Sequence, residues 1–166
     1  MNILYFLFLK KKKADTTKGL VAHISGKVIP IEQVKDEVFS SKMLGDGLGI
    51  EPSEENIVSP CDGVVTSIMV ESKHAVGITM NNGIEILIHE GLDTVALAGE
   101  GFELYVKEGQ KVKVGDKLLK FDAKLLESKG MEKTCVLVVT NFDEHSNIKF
   151  VTGIDAVAGE TTIITY

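Results

Sequence analysis

The chain has 166 residues, of which 44% are hydrophobic and 25% are charged, with a formal net charge of −6. This length predicts one domain with an ordinary hydrophobic core, and the composition excludes a largely disordered chain. All 18 basic residues are lysines, and without the four at positions 10–13 the rest of the chain carries −10. Such a body repels nucleic acid and favours a basic protein partner. Since arginine is absent, any bound phosphate is held without a guanidinium fork.

The N-terminal segment, residues 1–18, begins with "MNILYFLFLKKKK". Its apolar run is too short to span a bilayer, which takes about 20 residues. Its lysines follow the apolar run, whereas those of a signal peptide precede it. The segment is therefore interpreted as a flexible tail or as an anchor on a membrane surface. We expect a cytoplasmic protein, either free or peripheral at the inner face of the membrane.

Residues 19–166 are expected to form one domain made of strands and turns. Short runs rich in Val and Ile alternate with turn motifs such as "SG", "GDG", "DG", "NNG" and "VGD". This spacing is typical of an all-β sandwich or barrel with antiparallel strands. Helical signals are short and occur only near residues 33–41 and 123–128.

An internal repeat supports this fold class. The segments "VAHISGKVIPI" (21–31) and "VSPCDGVVTSI" (58–68) share the pattern V-x-x-x-x-G-x-V-x-x-I at a distance of 37 residues. Each copy is predicted to be a hairpin of two strands around a glycine turn. Two such units favour a pseudo-symmetric sheet folded on itself.

The segment "KHAVGITMNNGIEILIHEG" (73–91) is predicted to be a hairpin that carries two histidines. A two-residue type I′ turn at 82–83 would place Val76 opposite His89, and His74 on the same face as His89. A three-residue turn would instead pair His89 with Ala75 and send His74 to the opposite face. In the first register the two rings approach a common ligand. The alternative is that one or both are core histidines bonded to backbone carbonyls.

The two cysteines, Cys61 and Cys135, match no metal-binding spacing and no disulfide framework. They are interpreted as reduced, partly buried thiols.

Several segments, in order, resemble the glucose-type enzyme IIA domain of the bacterial phosphoenolpyruvate:sugar phosphotransferase system. The resemblance implies an antiparallel β-sandwich that carries a phosphoryl group and needs no cofactor and no metal. The matching segments are "SGKVIPIEQVKDEVFSSKMLGDGLGI" (25–50), "SPCDGVV" (59–65), "SKHA" (72–75), "LIHEGLDTV" (87–95), "GEGF" (99–102) and "EGQKVKVGDKLLKFD" (108–122).

By this resemblance His89 is the histidine that is phosphorylated, His74 is the partner that stabilises the phosphoryl group, and Ser72 orients His74. The phosphoryl group would come from a histidine of the phosphocarrier protein HPr. It would leave for a cysteine of the IIB domain of a sugar permease. A neutral imidazole suits this role because its ordinary pKa, about 6.5, leaves it nucleophilic near pH 7.

The resemblance also implies a docking surface. Asp36 and Asp93 match acidic positions that meet a basic side chain of HPr. The apolar patch around them would be formed by Val38, Phe39, Met43 and Val95.

Three positions depart from the family pattern. Glu90 and Glu37 stand where apolar residues are expected, and Ala98 replaces an occasional lysine. Glu90 is expected to add a negative charge beside the phosphoryl site. An alternative function is therefore a degenerate regulatory domain that docks on partners without transferring phosphate.

Two other classes of protein share short motifs with the chain. The H-x-x-x-D pattern at 89–93 resembles a zinc-peptidase motif, but the only later histidine, His145, has no partner two residues away, so a catalytic zinc site is incomplete. The segment 108–122 resembles the hairpin of biotinyl and lipoyl domains but lacks their "MKM" target lysine. Neither motif is sufficient for these functions.

Overall fold

The computed structural model describes residues 19–166, and the predicted N-terminal segment lies outside the described residues. The described part is built almost entirely from strands, and no helix in it is long and apolar enough to cross a membrane. The strands are β1 (Gly19–Val21), β2 (Gly26–Pro30), β3 (Asp46–Pro52), β4 (Asn56–Val58), β5 (Gly63–Ile68), β6 (Ala75–Thr79), β7 (Glu85–Glu90), β8 (Phe102–Leu104), β9 (Lys111–Val112), β10 (Lys117–Phe121), β11 (Cys135–Val139), β12 (Lys149–Phe150), β13 (Asp155–Ala156) and β14 (Thr162–Thr165).

The helical elements are short, as the sequence predicts. Two α-helices span Glu37–Ser40 and Ala123–Ser128, and 3₁₀ turns span Ile31–Gln33, Thr94–Leu97 and Phe142–Glu144. The helix signal near 33–41 is therefore split, because the chain is extended at Val34 and again at Asp36. The Asp36 side chain caps the first α-helix by accepting from the backbone N–H of Val38 at 2.9 Å.

The strands form one eight-stranded sheet and two three-stranded sheets. The large sheet has the order β13-β2-β3-β11-β7-β6-β5-β9, and the small sheets have the orders β1-β14-β12 and β4-β10-β8. Every paired neighbour is antiparallel. The all-β, antiparallel fold class is confirmed.

The internal repeat is real, but each copy is a corner between two sheets and not a hairpin. In both copies the first strand joins a small sheet and the second strand joins the large sheet. Val21 N–H donates to the Pro60 carbonyl at 3.0 Å, and Val58 N–H donates to the His23 carbonyl at 2.8 Å. Donors and acceptors of these two bonds are both 37 residues apart, so the corners are related by an approximate two-fold symmetry.

The large sheet buries apolar side chains on both faces. On β7 the side chains of Ile86 and Ile88 belong to the main core, whereas Leu87 packs against a smaller cluster on the other face. That smaller cluster contains Phe39 and is covered by the segment 31–40. His89 follows the alternation of Leu87 and lies on the same face, at its partly exposed end.

Candidate functional site

The β6–β7 hairpin has a different register from the predicted one. Ala75 pairs with His89, so the prediction that Val76 faces His89 is wrong. Gly83 N–H donates to the Met80 carbonyl, and Met80 N–H donates to the Ile84 carbonyl. In this loop only Gly83 has a positive φ, 90°. The turn is therefore the three-residue kind, in which a tight turn is followed by one left-handed glycine.

The register changes which residues accompany the histidines. Val76, expected opposite His89, joins Ile78 and Ile86 in the main core. Ala75 occupies the histidine face instead, directly opposite His89. The change follows from the pleat, because a shift of one residue moves every side chain of a strand to the other face.

The two histidine rings nevertheless meet. The ring centroids of His74 and His89 are 4.5 Å apart, and the rings are nearly perpendicular at 86°. Strand β6 begins at Ala75, so His74 precedes the strand and does not follow the alternation of its side chains. The His74 carbonyl still accepts a hydrogen bond from Glu90 N–H at 2.8 Å, which ties this residue to the end of β7. The convergence of the two imidazoles is thus present, although by a different route from the one predicted.

His74 is fixed in place by burial and by contacts with two neighbouring side chains. Its side chain is almost fully buried, and its Nδ1 lies 2.8 Å from the Ser72 hydroxyl oxygen. The Phe102 ring stands at 6.5 Å between centroids. Burial lowers the pKa of His74 below its ordinary value, so the ring is neutral at pH 7.

His89 is more open than His74. It is partly exposed, and the Phe39 ring contacts it edge-on at 4.9 Å between centroids. Its Nδ1 is buried and has no hydrogen-bond partner. Burial, aided by the neighbouring His74, lowers the pKa of His89 to about 4, while Asp36 acts in the opposite direction. The ring is therefore a neutral base with a free electron pair at pH 7.

Both rings open into a depression of about 500 Å³ with a largely apolar wall. Of the predicted docking residues, Asp36, Val38, Phe39, Asp93 and Val95 line it. Val38 and Val95 are 41% and 58% exposed, but Phe39 is only 4% exposed and supports the His89 ring from below.

Met43 lies outside this depression. It is 72% exposed and lines the neighbouring cavity with Lys42 and Asp46. The structure therefore separates Met43 from the residues that surround the histidines.

Sequence reasoning missed several residues of the wall. Leu44, Ser67 and Met69 also line the depression, and Met69 and the adjacent Val70 are exposed apolar residues. An apolar pair in a turn just before the "SKHA" motif was the available signal. Nothing in the local pattern indicates that Met69 lines the same depression as the two histidines.

Glu90 does not place a negative charge beside the histidines, and that expectation is wrong. Its side chain is fully buried on the opposite face of β7, and both carboxyl oxygens lack a hydrogen-bond partner. Burial raises the pKa of Glu90 well above its ordinary value, against a smaller lowering by the neighbouring Cys135 thiol. The carboxyl is buried because it follows the inward alternation of Ile86 and Ile88, and this burial favours its neutral form.

The other residues singled out from the sequence, the remaining departures from the family pattern and the two cysteines, do not line the depression. Glu37 is exposed in the first turn of its helix, and Ala98 ends a 3₁₀ turn with a φ of 50°. Cys61 and Cys135 are free thiols and are fully buried, more so than expected. Within residues 19–166 no group of three His, Cys, Asp or Glu side chains is placed to hold a metal ion.

Comparisons with known proteins assign the chain to a family. Residues 18–145 match the model of the phosphoenolpyruvate-dependent sugar phosphotransferase system, EIIA 1. The chain belongs to this family. As an EIIA component it is a phosphoryl carrier of a sugar phosphotransferase system, and the comparisons give no support to a docking-only alternative.

The relatives cover nearly all of the chain. It is 46% identical over 145 residues to the glucose-specific EIIA component of Bacillus anthracis, which covers 87% of each protein. It is 41% identical over 164 residues to that of Haemophilus influenzae, covering 99% of this chain and 98% of the relative. The solved structure of glucose permease IIA from Mycoplasma capricolum superposes with a TM-score of 0.79 at 35% identity, covering 88% of this chain and 94% of that one.

Proposed function

We propose that His89 accepts the phosphoryl group on Nε2 and that His74 stabilises it there. The observation that carries the proposal is the pair of neutral rings 4.5 Å apart at the floor of an open depression. Since Nδ1 of His89 is buried, Nε2 is the nitrogen that faces an incoming donor. The pKa of about 4 leaves its electron pair free at pH 7.

Transfer onto His89 is a displacement at phosphorus. The Nε2 electron pair forms a new N–P bond as the N–P bond of the donor phosphohistidine breaks. The donor nitrogen keeps the bonding electron pair and takes up a proton from solvent. The newly phosphorylated His89 ring gives up its Nδ1 proton and stays neutral. In the onward step a cysteine thiol gives up its proton and forms an S–P bond, while the N–P bond electrons return to Nε2 of His89 and the ring takes up a proton to regenerate the neutral imidazole. Such chemistry depends chiefly on alignment and charge neutralisation.

His74 is suited to hold the phosphoryl oxygens. Its Nδ1 is engaged by the Ser72 hydroxyl at 2.8 Å, which leaves Nε2 directed away from Ser72. If Ser72 accepts the Nδ1 hydrogen, protonation of Nε2 in the phosphorylated state gives a cationic donor beside the dianionic group. A fixed donor of this kind contributes through orientation as well as charge.

The partners we propose are HPr as the donor and the IIB domain of a sugar permease as the acceptor. The rim of the depression combines the acidic side chains of Asp36 and Asp93 with exposed Val38 and Val95, the composition expected of a transient interface. Because the chain has no arginine, a basic partner must supply further positive charge during transfer. We propose a cytoplasmic location, because these reactions take place there, and contact of residues 1–13 with the membrane surface is part of the same proposal.

The direct test is incubation with phosphoenolpyruvate, enzyme I and HPr, followed by intact mass measurement. Wild type should gain one acid-labile phosphoryl group, and His89→Ala should gain none. His74→Ala should still be phosphorylated but should pass the group to IIB at least tenfold more slowly, the effect of losing about 1.4 kcal/mol of transition-state stabilisation. His145→Ala is the matched control, since His145 lies in a different cavity and should be silent.

A different result would reject the proposal in a specific way. A phosphoryl group that persists in His89→Ala would assign the acceptor to another residue. No incorporation in wild type, with an HPr shown to be active on another acceptor, would favour the docking-only function.

A further inference from the structure

The backbone that leads into His74 has an unusual conformation at Lys73. This residue is left-handed, with a φ of 57°, and lies between Ser72 and His74, the two residues whose side chains are hydrogen bonded. Left-handed backbone is costly for a residue with a Cβ and is usually occupied by glycine or asparagine. A lysine persists in it only where the surrounding structure imposes it.

The surroundings do impose it. Lys73 N–H donates to the Met69 carbonyl at 2.8 Å, which closes a single turn of chain that ends on the left-handed residue. This is the bond pattern by which a left-handed residue ends a helical turn. The turn reverses the chain, so that Ser72 and His74 meet at a distance of 2.8 Å instead of following one another along a strand.

A second segment closes on this turn from outside. A Cβ atom placed on Gly99 would lie 2.4 Å from the Glu71 carbonyl oxygen and 3.7 Å from Cδ of Lys73. Gly99 itself has a φ of 92°. The glycine thus permits a close backbone approach that holds residues 69–73 in place.

The ammonium group of Lys73 has no comparable role. Among residues 19–166 its nitrogen is in no ion pair, and Lys73 is absent from the wall of the depression. What Lys73 contributes to the site is its backbone conformation.

We propose that Lys73 is a positioning residue, whose left-handed backbone brings Ser72 and His74 together so that His74 faces His89. The inference rests on the proposed function of this histidine pair. It predicts that side chains are tolerated at position 73 according to their cost in left-handed conformation, regardless of charge.

The test compares Lys73→Asn with Lys73→Ile. Asparagine removes the charge but adopts left-handed backbone readily, whereas isoleucine is β-branched and resists it. Onward transfer to IIB should stay within about twofold of wild type for Asn and fall about tenfold for Ile, the equivalent of about 1.4 kcal/mol. The ¹⁵N chemical shifts of His74 should report the Ser72 hydrogen bond in wild type and Asn, and its loss in Ile.

Two further variants protect the test against a folding failure. Lys73→Ala has an unbranched side chain and should give a smaller effect in the same direction. Gly99→Ala leaves residue 73 intact but pushes on the Glu71 carbonyl, and should also disturb the His74 shifts.

Each outcome decides the question. If Lys73→Asn is as defective as Lys73→Ile, the ammonium group matters and the inference is wrong. If Lys73→Ile transfers like wild type and keeps the His74 shifts, the backbone conformation is not needed. If Lys73→Ile changes the shifts while His74→Ala transfers normally, Lys73 does position His74 and the proposed role of His74 fails instead.

Discussion

Two imidazoles in this protein, His23 and His89, have the same lowered pKa of about 4 but occupy different kinds of region. His23 is fully buried, its Nε2 lies 3.2 Å from the Cys135 carbonyl oxygen, and its Nδ1 has no hydrogen-bond partner. His89 stands beside a second imidazole in an open depression. In both cases desolvation is the main cause of the shift.

The comparison shows that a perturbed pKa does not by itself identify a functional residue. The repeat reinforces this, because Pro60 occupies the position equivalent to His23, 37 residues later, and both corners form the same backbone hydrogen bond. The corner therefore does not require an imidazole. His89, the proposed phosphoryl acceptor, differs from His23 in its access to the surface and in its neighbouring imidazole, and both features arise from the β6–β7 hairpin.

The strongest test of this difference between His89 and His23 is to replace each histidine with glutamine. His89→Gln should abolish phosphoryl incorporation, because an amide nitrogen has no basic electron pair to offer. His23→Gln should leave incorporation within about twofold, but should cost roughly 1–3 kcal/mol of unfolding free energy through imperfect pairing of a buried amide. Intact mass measurement and urea unfolding provide the two readouts. Loss of incorporation in a folded His23→Gln protein would contradict the distinction.

Acid unfolding should expose what the two histidines share. Since the folded pKa values lie near 4 and the unfolded value near 6.5, the unfolded chain binds protons that the folded chain refuses. The stability contributed by keeping these histidines neutral is fully present above about pH 6.5 and is lost progressively as the pH falls to about 4. For His23 alone this loss amounts to about 3 kcal/mol.

The measurement is the unfolding free energy from urea titrations between pH 4 and pH 7.5. Between pH 6.5 and pH 4 the unfolding free energy of His23→Gln should depend less steeply on pH than that of wild type. The difference corresponds to one bound proton, about 1.4 kcal/mol per pH unit. An unchanged slope would mean that His23 is protonated as readily in the folded chain as in the unfolded one.

An effect of the opposite sign is expected from Glu90, on the other face of β7. Its folded pKa is raised, so its stabilising contribution is complete below the unfolded pKa of about 4.3 and is lost as the pH rises toward the folded value. Glu90→Gln is neutral at every pH and should raise the unfolding free energy at pH 7 by at least about 1 kcal/mol, since one pKa unit is worth about 1.4 kcal/mol. The gain should disappear below pH 4.

Glu37→Gln is the control for Glu90→Gln, because it removes an exposed acid and should change stability by less than about 0.5 kcal/mol. Phosphoryl incorporation should be retained in Glu90→Gln, since this side chain points away from His89. A Glu90→Gln protein less stable than wild type at pH 7 would show that the carboxyl has a partner which an amide cannot replace.

Much of this protein can be predicted from local sequence signals. The alternation of Val and Ile runs with glycine turns predicts the all-β fold, and the helix at Ala123–Ser128 occurs where its signal lies. The motifs around His74 and His89 predict the family, and by the resemblance they predict that the two histidines act together. These features depend on residues close together in the chain, so local propensity and pattern are sufficient.

Register, side-chain direction and exposure were decided by tertiary structure. An Asn-Gly pair is compatible with either a two-residue or a three-residue loop, and the observed loop buries Val76 and Ile78 with Ile86 in one core. The packing of the main core encloses Glu90, which lies on the same face of β7 as Ile86 and Ile88, and the close approach of Gly99 to the turn before His74 supports a left-handed Lys73. Each of these outcomes depends on contacts between distant parts of the chain, whose packing energy exceeds the small differences between local alternatives.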